Sequence, residues 1–384
     1  YARAMALGNR DGIVGTARVH HDNLIGKGNA RETSLKLACG VAGNDRRGQR
    51  FGHGRILCEN WRMSRVLLIK TSSLGDVVHN LPVVADIHAN APDARIEWVV
   101  EEGFADIPRL HPGVSRVIPV ALRRWRRRPW SPAAWREMRA LRQTLGREHY
   151  DLIIDTQGLI KSALLARLAQ GTRCGQDAAS AREPLSARFY DRTYPVARGQ
   201  HAVARNRELV AHAIGYAPPT AAPDYGIDAP REYTVPDLTG SFVVCLHATS
   251  RTSKLWPESH WIRLGAALRA AGLAMVLPWG NVVERTRAQA IASRVEGARV
   301  LPRLAIRDLA AVMGHARAAV GVDTGLVHLA VALGLPTVAI YTDTLPLLTG
   351  VYPANSRRAV NLGSTGEIPA VEQVWTALDG MIRQ

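Results

Sequence analysis

The sequence predicts an α/β protein made of two doubly wound parallel sheets. Three features carry that expectation. Apolar runs of strand length end in small polar turns and lead into helical patterns, repeatedly along the chain. The alternation breaks at a Pro- and Ala-rich stretch, from Ala217-Pro218-Pro219 to Val235-Pro236, and then restarts. At 384 residues the chain is long enough for two sizeable cores.

Residues 1–62 carry Gly, Asn, Arg and His without helical or strand periodicity, as in Gly43-Asn44-Asp45-Arg46-Arg47-Gly48. They read as a poorly ordered extension, with Met63 the natural start of the folded part. The regular pattern opens with the strand Val66–Lys70 and the turn Thr71-Ser72-Ser73-Leu74-Gly75-Asp76. An apolar helix is expected to follow through Val77, Leu81, Val84 and Ile87. Further strands are expected at Ile96–Val100, Val117–Val120 and Leu152–Asp155. A basic run, Arg123-Arg124-Trp125-Arg126-Arg127-Arg128, follows the second of these, with Trp130 just beyond. A helix with Trp135, Met138 and Leu141 on its apolar face precedes the third. Asp155-Thr156-Gln157-Gly158 then repeats the strand-turn-helix theme. The first domain is thus set at 63–232 and the second at 233–384. In the second, strands are expected at Phe242–His247, Ala274–Pro278, Ala318–Val322 and Thr337–Tyr341, and a helix closes the chain.

Composition narrows the function classes. A hydrophobic content of 47% with 21% charged residues describes a globular protein. No apolar run is long enough to span a bilayer, and the first residues lack a signal peptide's apolar core. Cys39, Cys58, Cys174 and Cys245 are scattered without a CxxC pair, which offers no metal or disulfide framework and fits a reducing cytosol. The net charge of +16 calls for polyanionic partners: nucleic acid, an anionic membrane surface or phosphorylated substrates. Absent fingerprints argue against a dinucleotide dehydrogenase, a P-loop NTPase, a GxSxG hydrolase and a metal centre.

The chemistry concentrates at strand ends, where open α/β sheets bind ligands. The first turn gathers backbone N–H groups, hydroxyls, Lys70 and Asp76. Taken alone, Asp76 reads first as a helix-start carboxylate, which first turns favour, and second as a ligand-facing one. In the second half, His247-Ala248-Thr249-Ser250-Arg251-Thr252-Ser253-Lys254 leaves the first strand. Its hydroxyls and ammonium suit a diphosphate, or else Arg251 and Lys254 are solvated loop charges. Gly321-Val322-Asp323-Thr324-Gly325-Leu326-Val327-His328 opens a helix whose first N–H groups suit an anion. Asp323 is placed to accept from sugar hydroxyls; the plainer reading makes Asp323 or Thr324 an N-cap and His328 a helix-face residue. Glu284, after Pro278-Trp279-Gly280-Asn281, suits a ribose diol or a first-turn helix position. Together these features suit transfer of a sugar from a nucleotide donor.

From Met63 onward the sequence resembles the heptosyltransferase I branch of the inverting glycosyltransferase family 9. The resemblance rests on Lys70–Asp76, Trp98–Phe104, Val117–Arg126, Asp155–Leu159, Ala181–Leu185 and Val322–His328, and covers none of 1–62. It implies a GT-B fold, two Rossmann-like domains facing each other across a cleft. It also implies ADP-L-glycero-β-D-manno-heptose as donor, held by Thr249, Ser250, Lys254, Glu284, Leu304, Asp323, Thr324, Gly325 and His328. The implied acceptor is the inner Kdo of Kdo2-lipid A, against Lys70, Ser73, Arg123, Arg124, Arg126, Gln157 and Arg182. Two positions depart from the familiar pattern. Ser250 stands where a second threonine is usual, and Tyr341-Thr342-Asp343-Thr344-Leu345 replaces a Gly-Pro-Thr-Asp turn.

Inverting transfer needs a base for the acceptor hydroxyl and support for the departing diphosphate. Asp76 is the base implied; Lys254 and the Thr324-Gly325 helix start hold ADP, so no cofactor and no metal ion is expected. The arginine run, flanked by Trp125 and Trp130, is expected to meet acceptor anions and the membrane. The expected location is therefore the cytoplasmic face of the inner membrane of a Gram-negative bacterium, as a peripheral protein with no nucleic-acid partner. Competing readings are another ADP-heptose-dependent transferase, such as heptosyltransferase II, and a non-catalytic basic protein that binds membranes or nucleic acid.

Overall fold

A computed structural model describes residues 63–232, 238, 240–354 and 356–383. The expected extension over 1–62 and the expected domain boundary at 232/233 lie at or beside residues outside those described.

Among the described residues the strands form two six-stranded, all-parallel sheets. The first contains β1 (Arg65–Ile69), β2 (Arg95–Glu101), β3 (Val114–Val120), β4 (His149–Asp155), β5 (Gln170–Gln176) and β6 (Arg192–Tyr194), in the order β3-β2-β1-β4-β5-β6. The second contains β7 (Phe242–Leu246), β8 (Ala274–Leu277), β9 (Arg299–Val300), β10 (Ala318–Val322), β11 (Thr337–Ile340) and β12 (Ala359–Leu362), in the order β12-β11-β10-β7-β8-β9. Read from its own first strand, each sheet runs 3-2-1-4-5-6. The switch points therefore fall between β1 and β4 and between β7 and β10, where a doubly wound sheet opens a ligand crevice.

The central strands are buried on both faces, which is why they read as unbroken apolar runs. Val66, Leu67, Leu68 and Ile69 are fully buried, as are Val243, Val244, Val320 and Val322. Burial of each such side chain contributes roughly 1.5–3 kcal/mol. One apolar cluster takes residues from both sheets, among them Val66, Leu68, Val244 and Leu246.

Several elements differ from the sequence expectation. The helix expected through Ile87 is two, Leu74–Val78 and Pro82–Asn90, because Pro82 sits at the start of the second and cannot continue the first. Strand β3 begins three residues early, at Val114. The described part of the Pro-rich stretch is pinned rather than loose: Tyr225 and Ile227 are buried, and the Tyr225 hydroxyl donates to the Tyr352 carbonyl at 2.7 Å. Trp135 is 59% exposed, so the helix Pro132–Gly146 turns it outward and packs through Ala134, Leu141 and Leu145. Trp125 is buried and donates to Glu137 Oε2 at 2.6 Å, so of the two tryptophans beside the arginine run Trp130 alone faces solvent.

Candidate functional site

The two switch points meet through their opening helices. The helix Leu74–Val78 after β1 packs on the helix Gly325–Ala332 after β10. Glycine permits the approach: a Cβ on Gly325 would lie 2.6 Å from Leu74 Cβ and 2.7 Å from the Gly75 nitrogen. Beside this seam His79 Nε2 and His328 Nδ1 lie within hydrogen-bond distance, 3.0 Å, and the His201 ring abuts His79 edge-on. Burial is the main cause that lowers the pKa of all three imidazoles.

A cavity opens on each side. The first, about 410 Å³, lies at the carboxyl ends of β1 and β4, with Leu348 and Thr349 of the second half also in its lining. Its side chains include Lys70, Asp76, Gln157, Arg182, Arg198 and Arg205. The second, about 820 Å³, lies at the ends of β7, β8 and β10, with Trp279, Val282, Leu304 and Ile306 forming an apolar wall. Thr249, Ser250, Glu284 and Thr324 are among its polar residues, with His247 and Asn281. The short helix after β1 borders both: Leu74 lines the second cavity and Asp76 the first.

Asp76 is the third residue of that helix. Its Oδ2 accepts from the Ser73 nitrogen at 2.7 Å and the Ser73 hydroxyl at 2.9 Å, so Asp76 does cap its own helix. Among the described residues Oδ1 accepts no hydrogen bond, and Asp76 lines the first cavity. The turn before it is clamped by Gln157. That amide accepts from Thr71 N at 3.0 Å and Ser72 N at 3.1 Å, and donates to the Ser72 carbonyl at 2.6 Å. Gln157 is in turn held by Asp155, whose carboxylate accepts from the Gln157 nitrogen at 2.8 Å and from the Tyr190 hydroxyl at 2.7 Å. Burial pushes the Asp155 carboxyl above its usual range. Lys70 donates to the Thr156 carbonyl at 2.8 Å from the cavity floor; burial lowers its pKa, against the pull of Asp76 and Asp155.

In the second half the structure draws the two predicted loops together. Lys254 Nζ lies 2.6 Å from Asp323 Oδ2, and the Thr249 hydroxyl donates to the Asp323 carbonyl at 2.7 Å. Asp323 is therefore a partner for Lys254 before any sugar hydroxyl reaches it. The departing loop joins in: Thr344 donates to Asp323 Oδ2 at 2.5 Å, and Ser253 donates to Asp343 Oδ2 at 2.6 Å. Thr324 is the N-cap of the helix Gly325–Ala332 and its side chain does not cap, which leaves the first N–H groups without a side-chain partner at an end where Thr324 and Leu326 line the second cavity. Glu284 accepts from Gly280 N and from Asn281 Nδ2, both at 2.7 Å, so it occupies the first-turn role while lining the cavity. Gly325 and His328 belong to the seam rather than to the cavity wall.

The basic run forms the helix Leu122–Arg127, apart from the first cavity's lining. Arg124 is paired with Glu102 and Glu137, both at 3.0 Å, and Arg123 lies over the Phe104 ring at 5.0 Å. Arg126, Arg127 and Arg128 are exposed and make no ion pair among the described residues.

Residues 138–376 match the family described as glycosyltransferase family 9 (heptosyltransferase). The lipopolysaccharide heptosyltransferase 1 of Pseudomonas aeruginosa is 49% identical over 301 residues, 78% of this chain and 84% of that protein. The chain belongs to glycosyltransferase family 9. The solved structure of the Escherichia coli heptosyltransferase WaaC with ADP superposes on this family 9 enzyme at a TM-score of 0.77, with 41% identity, covering 83% of this chain and 99% of that one. The same protein with ADP-2-deoxy-2-fluoro heptose gives 0.73 at the same identity and coverage. The two-domain α/β, GT-B-like architecture expected from the sequence is thus shown, as is glycosyltransferase identity.

Sequence reasoning missed part of this enzyme's first cavity. Arg198 and Arg205 stand there with Gln176, Ser180 and Asn206. Arg205 donates to the Ser180 carbonyl at 2.9 Å, and burial lowers its pKa ahead of repulsion from Arg198. The faint signal is two arginines within eleven residues of the end of β6, on the ligand side of the sheet.

Proposed function

We propose that this enzyme transfers L-glycero-D-manno-heptose from ADP-heptose to the inner Kdo of Kdo2-lipid A, with inversion at the anomeric carbon. The observation that carries the reading is the pair of cavities joined by one helix. A roomy apolar slot with a free helix start suits a nucleotide diphosphate sugar, and a cationic pocket with one carboxylate suits an acidic sugar. The names of the relatives, and the ADP and fluoro-heptose donor analogue bound to WaaC, support the donor assignment.

The donor's diphosphate lies against the Thr324-Gly325 helix start, with Lys254 presented by Asp323, whose carboxylate also accepts from Thr344. Those groups answer its charge, so the reading calls for no metal ion. The acceptor's carboxylates meet Lys70, Arg182, Arg198 and Arg205. Asp76 takes the proton of the acceptor hydroxyl as that oxygen bonds to the anomeric carbon and the bond to the diphosphate breaks, releasing ADP. The enzyme works as a peripheral protein on the anionic face of a membrane; no described helix is long and apolar enough to cross one.

The test is ADP release from ADP-heptose with and without Kdo2-lipid A. Release that depends on that acceptor is expected. Release only with an acceptor already carrying one heptose would assign the protein to the second transfer instead, and none with either would defeat the proposal.

A further inference from the structure

A third hollow, about 680 Å³, lies between the helices Pro132–Gly146 and Ile160–Ala166, outside both cavities of the cleft. Trp135, Met138, Leu164, Leu165 and Leu168 line it, with Trp135 59% and Leu164 49% exposed. Arg139, Arg142, Lys161 and Arg167 stand around it, and no acidic side chain lines it. Nearby carboxylates are occupied: Glu137 by Arg124 and Trp125, Glu183 by the Ile160 nitrogen, Asp191 by Arg173. Trp130, 87% exposed, and the unpaired Arg126–Arg128 extend the same character. An apolar trough rimmed by cations matches an acyl chain beneath an anionic headgroup. A second copy of this chain would bring like charge against like, at +16 each.

We propose that this groove seats an acyl chain of an anionic phospholipid of the membrane, its phosphate on Arg139, Arg142 and Arg167. Lys161 links the groove to the site, since its Nζ donates to the Ser72 hydroxyl at 3.2 Å, in the turn that leads to Asp76. Docking there sets the mouth of the acceptor cavity beside the leaflet. The purpose of the groove rests on the reading that the acceptor is lipid-linked; the binding itself does not.

The test is co-sedimentation of the full chain with vesicles of phosphatidylglycerol in phosphatidylcholine, with a second set whose acyl chains are brominated. Arg139→Gln and Arg142→Gln should each lower partitioning about fivefold, the equivalent of about 1 kcal/mol per basic residue at such a surface. Leu164→Gln should lower it several-fold even in salt that screens the charges. Brominated chains should quench the parent's fluorescence more than that of Trp135→Phe. Equal partitioning by these variants, or equal quenching with and without Trp135, would overturn the proposal. So would quenching by acylated acceptor alone, or a change of oligomeric mass in Leu164→Gln. Turnover of ADP-heptose with a deacylated acceptor should stay parental in every variant, and its loss would trace the defect to folding or catalysis and overturn the groove's role. A parent inactive on that acceptor would instead count against the transfer reading and leave the vesicle result standing.

Discussion

Gly325 meets Gly75 so closely that a methyl group on Gly325 would stand 2.7 Å from the Gly75 backbone nitrogen. The opening helices of the two sheets touch there, and everything that faces the cleft is registered to that contact. Leu74, on one side of it, lines the nucleotide-sized cavity; Asp76, on the other, lines the cationic one.

Gly325→Ala should therefore push the helices apart. The added carbon meets Leu74 Cβ and backbone, which have little room to yield, and overpacking of this kind costs about 1–3 kcal/mol. We expect a lowered Tm and a fall in turnover. Gly103→Ala, where a Cβ meets nothing within 4 Å, is the control. A Gly325→Ala enzyme with parental Tm and kcat would show that the seam is looser than its geometry.

Gln157→Leu removes both halves of the clamp on the Thr71–Ser72 turn. Unpaired buried N–H and carbonyl groups cost about 1–3 kcal/mol. Gln157→Glu keeps the acceptor oxygen for Thr71 and Ser72 but loses the donor to the Ser72 carbonyl, so its defect should be of the same kind. Both variants should lose thermal stability and kcat together, because the turn also carries Ser73 and Asp76. Full kcat in Gln157→Leu would remove the clamp from the mechanism.

The central strands were legible in the sequence because strands buried on both faces have no polar alternation to confuse. Val66–Ile69, Phe242–Leu246 and Ala318–Val322 were found for that reason. Among the outer strands β3 was expected, at Val117–Val120, but others were not. Gln170–Gln176 carries two glycines and an arginine, and Arg192–Tyr194 and Arg299–Val300 are too short to show a period. The turns with Asp76, Lys254 and Thr324 were legible because they directly follow core strands. Arg198 and Arg205 reach the first cavity only through tertiary packing, from a loop and from the helix Ala202–Ile214. The pairing of Lys254 with Asp323 was equally invisible, since 69 residues separate them.

Lys254→Ala should weaken binding of ADP, measured calorimetrically, by roughly ten- to a hundredfold, since charge-assisted contacts contribute about 1.5–3 kcal/mol. It also leaves the Asp323 carboxylate with Thr344 as its remaining side-chain donor among the described residues. Unchanged ADP affinity would place the diphosphate elsewhere.

Acid should loosen the seam. Burial holds His79, His201 and His328 below the ordinary value of 6.5, and holds His111 and His247 at about 4. Below pH 6.5 the unfolded chain takes up protons that the folded one refuses, so this stability is complete above about pH 6.5 and is lost as pH falls toward the folded values. Each unit of difference is worth about 1.4 kcal/mol. Tm should drop steadily from about pH 6.5 to pH 5, and His328→Asn should flatten the slope. A Tm that holds constant over that range would contradict the buried neutral histidines.

The most direct test is Asp76→Asn. Asparagine keeps an oxygen for the Ser73 nitrogen and hydroxyl, so the capping box that Asp76 makes with the N-cap Ser73 retains its reciprocal bond. Tm and ADP-heptose affinity should therefore remain near the parent's. It lacks the basicity to take the acceptor proton, so kcat with Kdo2-lipid A should fall by about 10²–10⁴-fold. A variant that folds, binds the donor and turns over at nearly the parental rate would reduce Asp76 to the helix cap it visibly is, and would contradict its role as base.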